Sequence, residues 1–140
     1  MKLTTTIAIA AVTFVAGTSF AMADQTSAKV TQLLNTDKTI TGQTIELPKH
    51  AFVNVSTYEI EPGAELPVHT HPYQRYGYVI SGDVEVTNVD TGKVEKFSKG
   101  DFIVEAVNER HKGKNTGKDL LVILVIDQTP DGGKNVRLAK

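Results

Sequence analysis

The chain of 140 residues contains no cysteine. No disulfide can therefore stabilise the fold, which has to rest on its apolar core even in an oxidising compartment. The absence also excludes thiolate nucleophiles and sulfur ligands for metals. A metal site in this chain would have to be built from nitrogen and oxygen ligands.

An excess of positive charge is equally lacking, since 15 lysine and arginine residues stand against 16 aspartate and glutamate residues. Nucleic-acid binding depends on clustered cations that neutralise phosphates, so nucleic acid is not expected as the main partner. The sequence shows no basic patch for a membrane surface. Its length suits one domain with a real core and hardly two.

The first 23 residues have the pattern of a secretory signal that is removed by cleavage. Lys2 gives a positive start, residues 7–16 form an apolar run, and residues 21–23 read Ala-Met-Ala, an A-x-A cleavage site. The run is shorter than the ~20 residues that span a bilayer. We therefore expect a mature chain that begins at Asp24, is periplasmic or secreted, and has no membrane partner. An uncleaved N-terminal anchor is the alternative.

The remaining sequence predicts short β-strands separated by turns. Residues rich in β-branched and aromatic side chains occupy 52–60, 76–80, 83–88, 102–106 and 120–126, with a shorter alternating run at 44–47. The pattern indicates an all-β domain of about eight strands, either a closed barrel or a double-sheet jelly roll.

Two local patterns give more specific expectations. Residues 120–126 are apolar without interruption, which favours a strand buried on both faces. Val30, Leu33 and Leu34 have helical spacing and predict a short N-terminal helical turn.

The two histidines His69 and His71 are separated by one residue. In an extended strand such residues project from the same face, so the two imidazoles can share one ion. The pair alone is equally compatible with two solvated histidines. His111, further along the chain, favours the metal, because histidines that face a barrel interior must be satisfied there.

These histidines lie in segments that resemble the paired motifs of the cupin superfamily. The first motif of that family combines a glycine, a His-x-His pair, a glutamate and a second glycine. Gly63, His69, His71 and Gly82 occupy the corresponding places without a gap.

The second motif of the family combines a glycine, Pro-x-Gly, a histidine and an asparagine. Gly100, His111 and Asn115 match, whereas Ala106 and Asn108 replace the proline and the second glycine. Two spaced motifs in the right order are far more specific than one.

The resemblance implies a single cupin β-barrel over residues 50–127, preceded by an arm at 24–49 and followed by a tail at 128–140. It also implies one divalent transition metal, Fe, Mn, Zn, Ni or Cu, held by His69, His71 and His111.

The chain departs from the family pattern at Arg75, which takes the place of the glutamate. A guanidinium cannot ligate a metal, so the site becomes at most a three-histidine site with positions open for water, dioxygen or substrate. Strand alternation puts Arg75 on the same face as His69 and His71. Arg75 is either structural, paired with an acid such as Glu105, or a catalytic residue that binds a substrate anion.

Two further residues, His50 and Glu105, could belong to this site. His50 is expected to be exposed at the start of a strand, with an outer-shell or fourth-ligand role as the alternative. Glu105 precedes the second histidine motif and is expected to be a solvated edge carboxylate rather than an inward one.

Two functions follow from these expectations. The first is an exported enzyme whose open metal centre acts on a small anionic organic molecule, with dioxygenase-like chemistry favoured. The second is a non-catalytic module that binds a metal or a metabolite. Both functions are compatible with a homodimer. Fold analogy cannot choose between the two functions, because cupins host many activities.

Overall fold

A computed structural model of the protein describes residues 28–139, so the predicted signal segment lies outside the described residues. The described part contains nine β-strands and no helix, which confirms the all-β prediction. No helix within it is long and apolar enough to cross a bilayer. The strands are β1 (Phe52–Ile60), β2 (His69–Thr70), β3 (Arg75–Ser81), β4 (Asp83–Asn88), β5 (Val94–Ser98), β6 (Phe102–Val104), β7 (His111–Asn115), β8 (Leu121–Thr129) and β9 (Arg137–Leu138).

The strands form two antiparallel sheets. One sheet has the order β1-β8-β3-β6 and the other the order β5-β4-β7-β2-β9. Inward-facing residues from both sheets make a common apolar core, as expected for two packed sheets. The core consists of Ile60, Val79, Val84, Val86, Ile103, Leu121, Ile123 and Val125. This arrangement is the predicted double-sheet jelly roll.

β8 corrects the expectation of a strand buried on both faces. Leu121, Ile123 and Val125 are buried in the core, whereas the residues between them are partly exposed. An antiparallel sheet needs only one covered face, and an apolar run does not reveal which alternate residues face outward. The same alternation carries Asp127 and Thr129 inward.

Both predictions for the segment before β1 are wrong. Residues 31–36 have no regular secondary structure, and Leu33 and Leu34 are not packed but exposed. A single helical turn gains too little from its few hydrogen bonds to form without packing. Residues 44–47 form only one isolated bridge, between Lys38 and Thr44. The segment is held instead by Gln43, whose side chain makes two 2.9 Å hydrogen bonds to the backbone of residue 107.

The C-terminal residues join the second sheet. β8 runs to Thr129, and β9 pairs with β2 in a register that places Leu138 opposite His69 and Arg137 opposite Thr70. The C-terminal segment thus lies beside one of the candidate metal ligands.

Candidate metal centre

The three motif histidines converge at the adjoining ends of two paired strands. His69 lies on β2 directly opposite His111, the first residue of β7, and His71 follows β2. All three are buried, and their rings lie 4.5–4.8 Å apart between centroids. One ligand atom from each lies within 4.8 Å of the other two. The predicted convergence is confirmed, and the cluster could hold a metal ion.

Backbone carbonyls fix the orientation of each imidazole. A carbonyl oxygen can only accept, so each Nδ1 donates a proton and each Nε2 keeps a lone pair that can bind a metal. The Nδ1-to-oxygen distances are 2.7 Å for His69 to Pro67, 2.7 Å for His71 to Asn135 and 2.9 Å for His111 to Glu109.

The Nε2 atoms of His71 and His111 lie 3.1 Å apart. Because both atoms carry lone pairs, this approach is repulsive in the absence of a cation or a shared proton. A shared proton is disfavoured, since burial and the nearby Arg75 lower the pKa of His71 to about 2. Burial also lowers the pKa values of His69 and His111. The neutral imidazoles that result are the form that binds metals.

The turn before β7 explains how the second motif tolerates its substitutions. Asn108, which replaces the family glycine, has a φ of 58°. Asparagine is among the residues that accept this left-handed conformation. The Asn108 N–H donates to the His71 carbonyl at 2.8 Å, so the turn also helps to place His71.

Arg75 faces inward, as predicted, but its partner is Asp127 rather than Glu105. Its Nε and Nη2 donate to the two carboxylate oxygens of Asp127 at 2.7 and 2.8 Å. Burial opposes the charge of Arg75, but the hydrogen bond and attraction to Asp127 prevail and raise its pKa. The guanidinium also lies over the Tyr58 ring, 5.5 Å from its centroid. This bidentate pair has the geometry expected for the structural role.

Asn135, which the sequence does not predict as a site residue, joins this ion pair to the histidine cluster. Its side-chain amide donates to Asp127 Oδ1 at 2.8 Å, while its backbone carbonyl accepts from His71 Nδ1. Its side chain is also bonded to both backbone groups of Tyr73. The inward direction of Asp127 could have been predicted from strand alternation, since it is two residues after the buried Val125 on β8. No sequence pattern singles out Asn135, which lies in a segment without regular structure.

Glu105 is not the solvated carboxylate that the sequence suggested. Its side chain is 16% exposed, and its Oε2 lies 3.7 Å from His111 Nε2. Burial raises the pKa of Glu105, against the opposing attraction of Arg75 and His69. His50, by contrast, is exposed.

A cavity of about 200 Å³ adjoins the histidines between the two sheets. The polar residues on its wall are the three histidines, Arg75, Glu105 and Tyr58, and the other side chains are apolar. Among the latter are Ile60, Leu66, Val84, Ile123, Val136 and Leu138. The cavity therefore combines a possible metal position with an apolar space for a small molecule.

Several solved structures share the fold. A polyketide cyclase, RemF from Streptomyces resistomycificus, is 21% identical with a TM-score of 0.54 over 65% of this chain and 62% of its own. A Lactobacillus farciminis oxalate decarboxylase, in a formate complex, is 23% identical with a TM-score of 0.54 over 61% of this chain and 26% of its own. A Klebsiella pneumoniae protein with a double-stranded β-helix domain is 21% identical with a TM-score of 0.55 over 81% of this chain and 98% of its own.

These likenesses concern the fold, because all three identities are low. This chain spans less than two thirds of the cyclase and about a quarter of the decarboxylase. No curated protein sequence matches the chain with significance. The family model of the cupin domain, however, matches residues 56–127, just over half of the chain. That match runs from the middle of β1 to Asp127 in β8 and includes both histidine motifs, and the chain therefore belongs to the cupin family.

Proposed function

We propose that the protein is an exported metal-binding cupin that acts on a small organic molecule by dioxygenase-like chemistry. One divalent transition metal, Fe, Mn, Zn, Ni or Cu, would be held by His69, His71 and His111. The main support is the distance of 3.1 Å between the Nε2 atoms of His71 and His111. A cation bound between their lone pairs would make this close approach favourable. When bound, such a metal supplies Lewis acidity, open ligand positions and, in the case of iron or copper, redox activity.

The cavity supports a ligand that is small, apolar over most of its surface and anionic at one end. Its volume of about 200 Å³ is below the ~300–1,000 Å³ of pockets for drug-sized molecules. Three neutral imidazoles leave the charge of a divalent metal uncompensated, so an anionic oxygen such as a carboxylate or an enolate is attracted to that end.

Arg75 is retained as a candidate for binding this anion, although its charge is largely taken up by Asp127. It lines the cavity, and Asp127 engages only its Nε and Nη2 atoms. The third guanidinium nitrogen, Nη1, takes no part in that pair and would be available to a ligand as a donor.

The direct test is elemental analysis of protein from its native compartment, followed by dioxygen uptake with small carboxylates and enolisable dicarbonyl compounds. We expect one metal per chain and uptake that is lost in His71→Ala and kept in His50→Ala. Metal binding with ligand affinity but no turnover of any compound would favour the non-catalytic module. Wild-type protein without metal would contradict the proposed metal-dependent function.

We also propose a homodimer formed through β1. This nine-residue strand has β8 as its single neighbour among the described strands, contains no proline or lysine, and exposes Val53 and Val55. Such an edge is a template for pairing with a second chain. Sedimentation should show a dimer that Val55→Lys dissociates. Val94→Lys, on an edge strand of the other sheet, should leave it intact, and a monomeric wild type would contradict the proposal.

A further inference from the structure

The main chain of Glu105 is held from both sides next to the histidine cluster. Its N–H donates to the Arg75 carbonyl at 3.0 Å, and its own carbonyl accepts from the Gln74 side-chain amide at 3.1 Å. Gln74 immediately precedes β3, Arg75 is the first residue of β3, and Glu105 directly follows β6. The carboxylate therefore projects into the cavity from a fixed backbone and not from a loop tip.

The carboxylate lacks the partner that its position requires. Its Oε2 is inaccessible to solvent and makes no hydrogen bond within the described part of the chain. The nearby guanidinium of Arg75 is engaged by Asp127. A buried carboxylate oxygen without a partner is costly unless a cation or a donor reaches it.

The distance from this oxygen to His111 Nε2 fits two ligands of one ion. Two atoms at about 2.1 Å from one ion lie about 3.0 Å apart at a right angle, about 3.4 Å apart at the tetrahedral angle and at most about 4.2 Å apart. The 3.7 Å from Glu105 Oε2 to His111 Nε2 and the 3.1 Å from His111 Nε2 to His71 Nε2 both fall in this range.

We infer that Glu105 is the fourth protein ligand of the metal, through Oε2. It would supply, from the residue after β6, the carboxylate that the family has at the position of Arg75 on β3. The inference rests on the proposed function, since it requires the metal at the three histidines. A six-coordinate ion with these four ligands keeps two positions for small molecules, and its charge is reduced by one.

The test uses Co²⁺, whose visible absorption depends on the number and type of its ligands. Metal-free wild type is titrated with Co²⁺ in competition with a chelator, beside Glu105→Gln and Glu109→Gln. Glu109 is a matched control because it is next to His111 in sequence, while its side chain is hydrogen-bonded to Asn88 and Thr41. Glu105→Met, which fills a similar volume without a ligand oxygen, provides a second variant should Glu105→Gln fold poorly.

We expect Glu105→Gln and Glu105→Met to bind one Co²⁺ with an affinity at least about tenfold lower and with a changed absorption spectrum. Glu109→Gln should keep the wild-type spectrum and stay within about threefold in affinity. If the Glu105 variants retain the wild-type spectrum and affinity, Glu105 is not a ligand, although the three-histidine site stands. If wild type itself fails to bind Co²⁺, the proposed function fails as well.

Discussion

Arg75 and Asp127 form a buried bidentate ion pair, with Nε–Oδ1 and Nη2–Oδ2 distances of 2.7 and 2.8 Å. The two residues are direct neighbours across β3 and β8. Asn135 extends the pair to His71. Arg75, which replaces the family's metal-binding glutamate, thus helps to hold His71, a candidate metal ligand, in place.

Arg75→Ala should therefore act mainly on stability. Removal of one partner of a buried pair leaves the other charge uncompensated and costs about 3–5 kcal/mol of unfolding free energy, measured by denaturant titration. The double variant Arg75→Met/Asp127→Leu should recover most of this loss, because apolar replacements of a buried pair are often neutral or stabilising. If Arg75→Ala unfolds like wild type but binds anionic ligands more weakly, the ligand-binding role applies instead.

Asn135→Ala should weaken metal binding without removing a ligand. The variant keeps the carbonyl that accepts from His71 but loses the side-chain bonds that hold this carbonyl in place. Outer-shell partners of this kind are worth about 10–100-fold in metal affinity. Asn54→Ala, at an exposed position of β1, is the control and should bind the metal like wild type. Equal affinities for both variants would show that Asn135 does not position His71.

The metal-free protein should lose stability as the pH falls from 7 to 5. The pKa of His71 is lowered to about 2 in the folded state, whereas an unfolded histidine has a pKa of about 6.5. Between these values the unfolded state binds a proton that the folded state does not bind, so unfolding becomes easier as the pH drops. For His71 alone the loss at pH 5 is about 2 kcal/mol.

Glu105 acts in the opposite direction. Burial raises its pKa, and a group whose pKa is higher in the folded than in the unfolded state favours folding as the pH falls. The measurement is therefore made by denaturant unfolding in the Glu105→Gln background. Stability there should fall between pH 7 and 5, and His71→Gln in the same background should reduce the fall. An unfolding free energy that is equal at pH 7 and pH 5 would show that the pKa of His71 is not lowered in the folded state.

Export predicts a mature N-terminus at Asp24. Intact-mass analysis of protein from the native compartment should give a chain that lacks the first 23 residues. Material that still begins with Met1 would rule out cleavage.

The sequence identified the parts of the fold whose pattern is local. β1 and β4 were predicted with their observed ends, because their β-branched residues are bounded by turn residues. The His-x-His spacing was enough to place His69 and His71 together. The helical spacing of Leu33 and Leu34 predicts a helical turn that does not form. A pattern of apolar residues does not show whether another part of the protein is available to cover them, and both side chains are exposed.

The supporting residues of the site depend on contacts between distant segments. The sequence predicts Glu105 to be a solvated carboxylate on a strand over residues 102–106. In the structure β6 ends at Val104, so strand alternation does not give the direction of the Glu105 side chain. Asn135 and Asp127 meet across eight residues of chain, and Asn135 meets His71 across 64. Such contacts depend on how the two sheets pack against each other, and this packing cannot be predicted from a single sequence.

The central claim, one divalent metal held by three histidines, is tested most directly by metal content after reconstitution and dialysis. Wild type and His50→Ala should each retain one ion per chain, since His50 is exposed. His71→Ala should lose most of its bound metal, because the two Nε2 atoms that lie 3.1 Å apart no longer face each other. A wild type that retains no metal, or a His71→Ala variant that retains as much as wild type, would contradict this account of the site.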